Sequence, residues 1–407
     1  MGLNDTAGGE RLHIGFFGVR NAGKSSLVNA VTGQALAVVS DTPGTTTDPV
    51  KKAMELLPIG PVLIVDTPGV DDEGTLGGAR VQKTKQTLDS TDVAVLVASA
   101  EKGLCTQDGE LVRIFEEKKI PYLIAYNKCD LLPKIPAAGE REIYVSARTG
   151  FHVYELKEML GKLVGGGQKK PLVSDLLHGG ETVVLVVPID DAAPKGRLIL
   201  PQQQTIRDLI ESGNLPLVCR DSELPAALAA LQSPPALVIT DSQAFGSVAK
   251  ILPPDLPLTS FSILFARYKG DLSTLVKGAA ALDRLQNGDR VLISEGCTHH
   301  RQCGDIGSVK LPRWLAAYTG RDLSVSLTSG TEFPEDLSDF SLVIHCGGCM
   351  LNEREMHSRL ERAAAQGVPM TNYGVAIAQM HGILKRALSP FPDIASILGD
   401  GKKATVN

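Results

Sequence analysis

The sequence is poor in aromatic residues, in long apolar runs and in positive charge. Only 4% of the 407 residues are Phe, Trp or Tyr, whereas 43% are apolar overall, a balance typical of α/β proteins rich in Val, Leu and Ala. No uninterrupted apolar run approaches the roughly 18 residues that cross a bilayer, and the first residues do not have the pattern of a secretion signal. The sequence therefore predicts a cytoplasmic protein with no membrane contact.

Charge and cysteine content restrict the function classes further. The formal net charge is −5, so composition does not imply a basic surface for non-specific nucleic-acid binding, and we expect no nucleic-acid partner. The seven Cys are an odd number in a chain without a secretion signal. Such cysteines are better explained as thiols or metal ligands than as disulfides.

The length predicts two or three domains. Strand-like runs at 13–19, 62–65, 93–98, 122–126 and 143–145 alternate with helical patterns, which favours a doubly wound parallel sheet. A Gly-rich linker at 165–171 ends this part. We predict an α/β P-loop domain at 10–166, a small α/β domain at 172–258 and another α/β domain at 262–398. No internal repeat is evident in the sequence.

A phosphate-binding loop follows the first predicted strand. Residues 18–25 satisfy the pattern G-x-x-x-x-G-K-[ST] and open a helical pattern, which is the context that this motif requires. Backbone N–H groups of such a loop cradle phosphates, and Lys24 is expected to neutralise the β- and γ-phosphates. Ser25 is expected to bind Mg²⁺.

Three further motifs end later strands and predict a guanine nucleotide. Asp66-Thr67-Pro68-Gly69 offers a carboxylate to the Mg²⁺ shell and a glycine amide to the γ-phosphate. Asn127-Lys128-Cys129-Asp130 supplies a carboxylate that can accept from N1–H and N2–H₂ of guanine, donors that adenine lacks in this pattern. Ser146-Ala147 ends another strand. Parallel strands bring their carboxyl ends to one sheet edge, so the sequence predicts a GTPase.

These motifs resemble those of the translation-factor-like GTPases of the Era and tRNA-modification type. The resemblance implies that Gly44-Thr45-Thr46-Thr47-Asp48 is the first switch, with Thr46 as an Mg²⁺ ligand of the GTP state. It also implies that Asn21 is a candidate K⁺ ligand. Val70 stands where small signalling GTPases have a water-orienting Gln, so intrinsic hydrolysis is expected to be slow.

The predicted catalytic residues are Lys24, Thr46 and Gly69. The complete set of predicted nucleotide- and ion-contacting residues is Gly18, Asn21, Ala22, Gly23, Lys24, Ser25, Ser26, Thr46, Asp66, Gly69, Asn127, Lys128, Asp130, Ser146 and Ala147.

A second candidate centre lies in the last third of the chain. Cys297-Thr298-His299 and His345-Cys346-Gly347-Gly348-Cys349 form a C-x-H … H-C-x-x-C constellation. Each group follows a predicted strand, so both are expected at the carboxyl edge of one sheet. Three Cys can hold three corners of an iron–sulfur cluster. Buried thiols and a structural zinc site of mixed Cys and His ligands are the alternatives.

This constellation, after a GTPase domain and a middle domain, resembles the hydrogenase maturation GTPase family, HydF. The resemblance implies a homodimer or a higher oligomer, with dimerisation through 172–258. It implies that the domain at 262–398 binds a [4Fe–4S] cluster on Cys297, Cys346 and Cys349, with an exchangeable fourth site. It further implies a carrier that receives a diiron precursor from two radical-SAM maturases and delivers it to apo-[FeFe]-hydrogenase.

Two questions stay open at the level of sequence. The fourth cluster ligand has several candidates, namely His299, His345, Cys303, Asp305 or an exogenous group. The alternative function is that of an Era- or tRNA-modification-like GTPase in RNA modification or ribosome assembly, with a C-terminal zinc site.

Overall fold

The computed structural model describes residues 8–34, 50–68, 84, 86–165, 170–189, 198–296, 305–330 and 332–398. The chain divides into two compact units, Met1–Gln168 and Lys169–Asn407. In the described part of the chain, no helix combines the length and the apolar character needed to cross a membrane.

The first unit contains a six-stranded sheet in the order β2-β3-β1-β4-β5-β6. Its strands are β1 (Leu12–Phe17), β2 (Val50–Leu56), β3 (Gly60–Asp66), β4 (Val93–Ser99), β5 (Tyr122–Asn127) and β6 (Glu142–Tyr144). Its helices are α1 (Lys24–Thr32), α2 (Thr106–Glu117) and α3 (Val153–Val164). All neighbouring strands are parallel except β2, which pairs antiparallel with β3.

Helices cover both faces of this sheet. Helices α1 and α3 bury Leu27 and Leu156 on one face, and α2 buries Phe115 on the other. Strand β4 is buried along its whole length because it lies between the two layers. The predicted doubly wound P-loop domain is thereby confirmed. The edge strand β2 was missing from the prediction, since its Lys-rich, exposed residues lack an apolar pattern.

The second unit contains two four-stranded parallel sheets. One consists of β7 (Thr182–Val186), β8 (Leu215–Cys219), β9 (Leu237–Thr240) and β10 (Leu258–Ser260), and the other of β11 (Arg290–Glu295), β12 (Ser324–Ser329), β13 (Leu342–His345) and β14 (Met370–Asn372). The helices are α4 (Leu200–Glu211), α5 (Leu224–Ala229), α6 (Phe245–Ile251), α7 (Phe261–Lys269), α8 (Leu272–Ala279), α9 (Leu311–Thr319), α10 (Glu353–Ala365), α11 (Tyr373–Met380), α12 (Leu384–Ala387) and α13 (Pro392–Ala395).

The two sheets repeat one topology. Their strand orders are β10-β9-β7-β8 and β14-β13-β11-β12. The backbone registers agree as well: Ala236 donates to the Thr182 carbonyl at 2.9 Å, and Ser341 donates to the Arg290 carbonyl at 2.9 Å. We call residues 182–270 the first half and residues 290–382 the second half of this structural repeat.

The helix that follows the fourth strand starts in the same way in both halves. The Ser260 side chain accepts from the Ile263 N–H at the start of α7, and the Asn372 side chain accepts from the Val375 N–H at the start of α11. These two helices cross closely. The Gly374 N–H donates to Ser262 Oγ at 3.1 Å, which joins equivalent positions of the two halves, as expected near a two-fold axis.

The helix that follows each half packs on the sheet of the other half. Helix α8 packs on β14 of the second half, whereas α12 packs on β10 of the first half. Both sheets therefore share one hydrophobic core. The division of this part into domains at 172–258 and 262–398 stays a prediction.

Replacing Gly278 in α8 by Ala is expected to destabilise the second unit. An added Cβ would lie 1.9 Å from the Met370 carbonyl oxygen in β14, and backbone cannot yield as a flexible side chain would. The clash should cost up to about 3 kcal/mol, against the ~1 kcal/mol by which Ala stabilises a helix relative to Gly. Denaturant unfolding measures the difference. The control is Gly246→Ala in α6, where the nearest atom is an ordinary 3.8 Å away, and equal stability of the two variants would contradict the packing.

Candidate functional site

The phosphate-binding loop connects β1 to α1 and needs its glycines. Gly18 and Gly23 have φ values of +135° and +90°, which disfavour other residues. A Cβ on Gly18 would lie 2.2 Å from the Val97 carbonyl oxygen, and one on Gly23 would lie 2.3 Å from Asn127 Nδ2. The loop therefore packs directly against β4 and against Asn127 at the end of β5.

Two lysine side chains donate hydrogen bonds to carbonyl oxygens of the phosphate-binding loop. Lys24, 7% exposed, donates to the carbonyl oxygens of Gly18 and Val19 at 3.0 and 2.9 Å. Lys128 donates to the Asn21 carbonyl at 2.8 Å, so the guanine-recognition motif holds the phosphate loop. A bound phosphate would offer Lys24 stronger, charged acceptors in place of the carbonyls.

Two of the three predicted Mg²⁺-binding side chains, Ser25 and Asp66, are in contact. Ser25 Oγ donates to Asp66 Oδ2 at 2.6 Å, and Asp66 Oδ1 is buried without a hydrogen-bond partner among the described residues. Burial raises the pKa of the Asp66 carboxyl, against the lowering effects of the Ser25 hydroxyl and the Lys24 charge. A buried, under-satisfied carboxylate next to a hydroxyl fits the oxygen ligands that Mg²⁺ prefers.

The predicted guanine-binding motifs are joined by hydrogen bonds. Asn127 Nδ2 lies 3.2 Å from the carbonyl oxygens of Ala22 and Gly23, and its Oδ1 accepts from the Ala147 N–H at 3.0 Å. Ser146 Oγ donates to Asp130 Oδ1 at 2.6 Å, which orients this exposed carboxylate. The side-chain amide of Asn127 thus connects the phosphate loop to the loop after β6.

The remaining predicted nucleotide residues divide into two groups. Ser26 is half-buried in the first turn of α1, one residue after Ser25. Thr46 and Gly69 lie outside the described residues. Their roles stay predictions, as does the proposed K⁺ contact of Asn21, which has φ +63° in the loop.

The cysteine centre is partly described, at the carboxyl edge of the second half's sheet. Cys346 follows β13, and its Sγ accepts from the Gly296 N–H at 3.0 Å and from the Gly348 N–H at 3.4 Å. Gly296 follows β11 directly and precedes Cys297 in the sequence. N–H groups directed at sulfur are the usual surroundings of cluster thiolates, so the donors present fit such a group.

The free thiols are kept protonated by their surroundings. Burial raises the pKa of Cys346 to about 11. Burial also raises the pKa of Cys349, and the positive charge of Lys269 opposes this rise. Metal binding must replace these protons.

His345 is fully buried, with both ring nitrogens engaged. Arg359 Nη1 lies 2.9 Å from Nε2, and Nδ1 lies 2.8 Å from the Cys346 carbonyl oxygen. Because a guanidinium only donates, Nε2 accepts and Nδ1 carries the proton. Burial and the Arg359 charge lower the pKa of His345 to about 3, so the ring is neutral.

Arg359 extends this arrangement into a buried network. Its Nη2 donates to Glu355 Oε1 at 2.6 Å and to the Gly330 carbonyl at 2.7 Å. The network supports the backbone at Cys346 through His345. This geometry favours an outer-shell position for His345 over direct ligation, which would break one of its hydrogen bonds.

The other candidates for the fourth ligand are less defined. Asp305 Oδ2 accepts from the N–H and the hydroxyl of Ser308, both at 2.9 Å. Cys297, His299 and Cys303 lie outside the described residues. Among the residues that are described, no group of three or more His, Cys, Asp or Glu side chains could hold a metal ion.

Three buried polar side chains near the cysteines escaped the sequence analysis. Arg359 and Lys269 lie on helices whose patterns gave no functional signal. Tyr373 Oη donates to Glu295 Oε1 at 3.2 Å, and a Cβ on Gly307 would lie within 2.4 Å of both oxygens. The position of Glu295 directly before Gly296-Cys297 was the one signal in the sequence that could have pointed to these side chains.

Family models match most of the chain. A model of the hydrogen maturase F dimerization domain matches residues 172–270, and one of the hydrogen maturase F tetramerization domain matches residues 273–390. Together they span more than half of the sequence. The chain belongs to the hydrogen maturase F family. A model of 50S ribosome-binding GTPases matches residues 13–128, so this HydF chain carries a GTPase domain.

The family match also bears on oligomeric state. The family describes the region that we expected to bind a cluster as a tetramerization domain. A dimerization and a tetramerization domain in one chain support self-association of this HydF protein.

Curated GTPases match less than half of the chain. GTPase Der of Nitratidesulfovibrio vulgaris is 35% identical over 167 residues, which cover 37% of this chain and 33% of Der. The tRNA modification GTPase MnmE of Synechococcus sp. is 35% identical over 180 residues, which cover 42% of this chain and 38% of MnmE. The chain thus spans about a third of the length of these relatives.

Among solved structures, Era of Aquifex aeolicus bound to GDP and aluminium fluoride is 17% identical. The match covers 78% of this chain and 93% of Era, with a TM-score of 0.35.

Replacing Asp66 by Asn is expected to stabilise the nucleotide-free protein at neutral pH. The folded pKa of Asp66 is raised, so the wild type loses stability as pH rises above the unfolded value of about 3.9. The gain from Asn should therefore vanish below about pH 4 and grow toward neutrality, while Mg²⁺-dependent GTP turnover falls. Thermal unfolding of both proteins across pH, without nucleotide, measures this difference in stability. A gain that is equal at all pH values would show that Asp66 carries no buried charge.

Proposed function

We propose that the protein is a GTP-hydrolysing carrier in [FeFe]-hydrogenase maturation, which holds a [4Fe–4S] cluster on Cys297, Cys346 and Cys349. The observation that carries this proposal is the 3.0 Å hydrogen bond from the Gly296 N–H to Cys346 Sγ. It brings the residue before Cys297 to the C-x-x-C loop, at one sheet edge. This edge belongs to the region that the HydF tetramerization model matches.

The nucleotide half of the proposal rests on contacts in the first unit. Lys24 exchanges its two loop carbonyls for the β- and γ-phosphates of GTP, and Asp130, oriented by Ser146, accepts from the guanine edge. Ser25 and Asp66 would hold Mg²⁺, which neutralises charge developing on the phosphates. Asn21 would hold K⁺ and Thr46 would complete the Mg²⁺ shell. The sequence offers Val70 in place of a water-orienting Gln, so we expect slow intrinsic turnover.

The cluster half rests on what surrounds the cysteine loop, which we define as residues 346–352. The thiols of Cys346 and Cys349 would bind as thiolates, and the N–H groups of Gly296 and Gly348 would stabilise the charge on sulfur. His345 donates to the Cys346 carbonyl and fixes the loop from the core side. A cluster with three protein thiolates supplies one iron open to an exchangeable ligand, on which the diiron precursor can bind and leave.

The partners follow from the same proposal. We expect a homo-oligomer that meets two radical-SAM maturases, which supply the diiron precursor, and apo-[FeFe]-hydrogenase, which receives it. An RNA-directed function is less well supported, because the likeness to Der and MnmE covers about 40% of the chain and leaves the cysteine centre unexplained.

Replacing Asp130 by Asn tests the nucleotide assignment. The amide should shift preference from GTP toward xanthosine triphosphate, because it can donate to the base carbonyl that replaces the guanine amino group. Turnover of both nucleotides is measured against the wild type and against Asp108→Asn, a carboxylate outside the motif. An unchanged preference for GTP would remove Asp130 from the base site.

Serine at each proposed cluster cysteine tests the cluster assignment. Cys297→Ser, Cys346→Ser and Cys349→Ser each remove a soft thiolate, so each variant should lose most of its iron after anaerobic reconstitution and all hydrogenase-maturing activity. GTP turnover should persist, because the nucleotide motifs lie in the first unit. Iron content, electron paramagnetic resonance and GTP turnover are measured together.

Matched controls come from the other cysteines. Cys219 lies on β8 of the first half, so the Cys219→Ser variant should keep the cluster. The Cys303→Ser variant should keep it as well. If Cys303→Ser loses the cluster while one of the three proposed ligands proves dispensable, the ligand set is wrong. A full complement of zinc in every preparation would contradict the hydrogenase function itself.

A further inference from the structure

Lys269, the last residue of α7, is an unusual buried cation. It is 2% exposed, and its Nζ donates to the carbonyl oxygens of Leu351 at 2.6 Å, Cys349 at 2.9 Å and Gly348 at 3.4 Å. Its ammonium also lies 5.7 Å from the centre of the Phe265 ring. Three N–H donors of one ammonium thus meet three carbonyls of the cysteine loop.

These bonds fix the peptide groups that face the thiols. The Gly348 carbonyl is directed to Lys269, while the N–H of the same residue lies 3.4 Å from Cys346 Sγ. Gly348 has φ +63°, and a Cβ there would lie 2.7 Å from Met356 Sδ. The turn is therefore a tight conformation whose outward carbonyls need donors, and Lys269 supplies them.

The structural repeat shows that this lysine reaches the loop from the opposite half. Lys269 belongs to the first half and the cysteine loop to the second. Its equivalent at the end of α11 is His381, and both residues are followed by Gly. The ring of His381 lies beside Gly246 of the first half, at 3.8 Å from an ideal Cβ built there, and Gly246 is the equivalent of Leu351.

The ends of the two equivalent helices thus approach equivalent positions of the opposite halves, but the chemistry differs. The segment between β9 and α6 reads Asp241-Ser242-Gln243-Ala244 and has no thiol, whereas the cysteine loop that Lys269 contacts carries Cys346 and Cys349. Burying an ammonium costs free energy that an apolar residue would not incur. Of these two equivalent positions, only the one that faces the expected thiolates is occupied by a lysine.

We propose that Lys269 is a positioning residue that sets the conformation of the cysteine loop and places a fixed positive charge beside its cluster. The second half's metal centre is then incomplete without α7 of the first half. The charge should favour the reduced, more negative cluster, so it raises the reduction potential. This electrostatic part rests on the proposed function, whereas the conformational part does not.

The test compares Lys269→Met, Lys269→Arg and the repeat-matched control His381→Gln in the full-length chain. The first measurement is amide hydrogen exchange of residues 346–352 in cluster-free protein. Met removes the donors, so exchange should accelerate at least about tenfold, the equivalent of about 1.4 kcal/mol. His381→Gln should leave the exchange of this segment unchanged.

The second measurement is the midpoint potential of the reconstituted cluster. Lys269→Met should shift it to more negative values by about 59 mV or more, which is a tenfold change in the one-electron equilibrium. Lys269→Arg keeps the charge and should keep the potential, even where its larger head loosens the loop. If the lysine had only a structural role, the midpoint potentials of the Lys269→Met and Lys269→Arg variants would not differ in this way.

The outcomes distinguish the two parts. Exchange of 346–352 within twofold of the wild type in Lys269→Met overturns the positioning role, and equal potentials for Met and Arg overturn the electrostatic role. If Lys269→Met does not fold, Lys269→Gln replaces it, because the shorter, uncharged amide has only two N–H donors for the three carbonyls. Faster exchange of 346–352 in Lys269→Gln than in His381→Gln supports the positioning role, and equal exchange in the two variants overturns it. If wild-type protein binds no iron, the proposed function fails, while the exchange result still decides the positioning role of Lys269.

Discussion

The close crossing of α7 and α11 is the contact on which the second unit depends. A Cβ on Gly374 would lie 2.9 Å from the Ser262 side chain, and Asn372 Nδ2 donates to the Ser262 carbonyl at 2.9 Å. Because equivalent positions meet here, each half extends its helices over the other. The shared core, the packing of α8 on β14 and the reach of Lys269 to the cysteine loop all follow from this crossing.

Both candidate sites obey one rule of parallel sheets, in which functional side chains lie where buried strands end. In the first unit, Asp66 and Asn127 end β3 and β5 and contact the phosphate loop after β1. In the second unit, Cys346 follows β13 and meets Gly296 after β11, where the strand order changes direction. In the proposed function, the same kind of sheet edge binds a phosphate ligand in one unit and a soft-metal ligand in the other, according to the side chains that it carries.

The sequence predicted those parts that depend on local patterns. Strands buried on both faces, such as β4, are continuous apolar runs, and the four nucleotide motifs have fixed spacings, so the GTPase domain and its family could be recognised. Buried residues of β7 and β11 form similar apolar runs. The polar strand β12 and the three-residue strands β10 and β14 carry no such pattern and were missed.

Other features depend on contacts between distant residues, and the sequence could not predict them. The repeat was not recognised because few side chains agree between the halves, although 257–260 and 369–372 run Pro-Leu-Thr-Ser and Pro-Met-Thr-Asn. The amphipathic spacing that starts at Asp271 continues to Leu285, but α8 ends at Ala279 and is followed by a short turn at Leu282–Arg284. Lys269 and Arg359 show their roles only through partners about 80 and 14 residues away.

Metal and sulfide analysis of anaerobically purified wild-type protein, with electron paramagnetic resonance after reduction, decides whether the sheet edge at Cys346 is an iron–sulfur site in a GTPase. We expect about four irons and about four sulfides per chain and a paramagnetic signal on one-electron reduction. Stoichiometric zinc without sulfide would contradict this expectation.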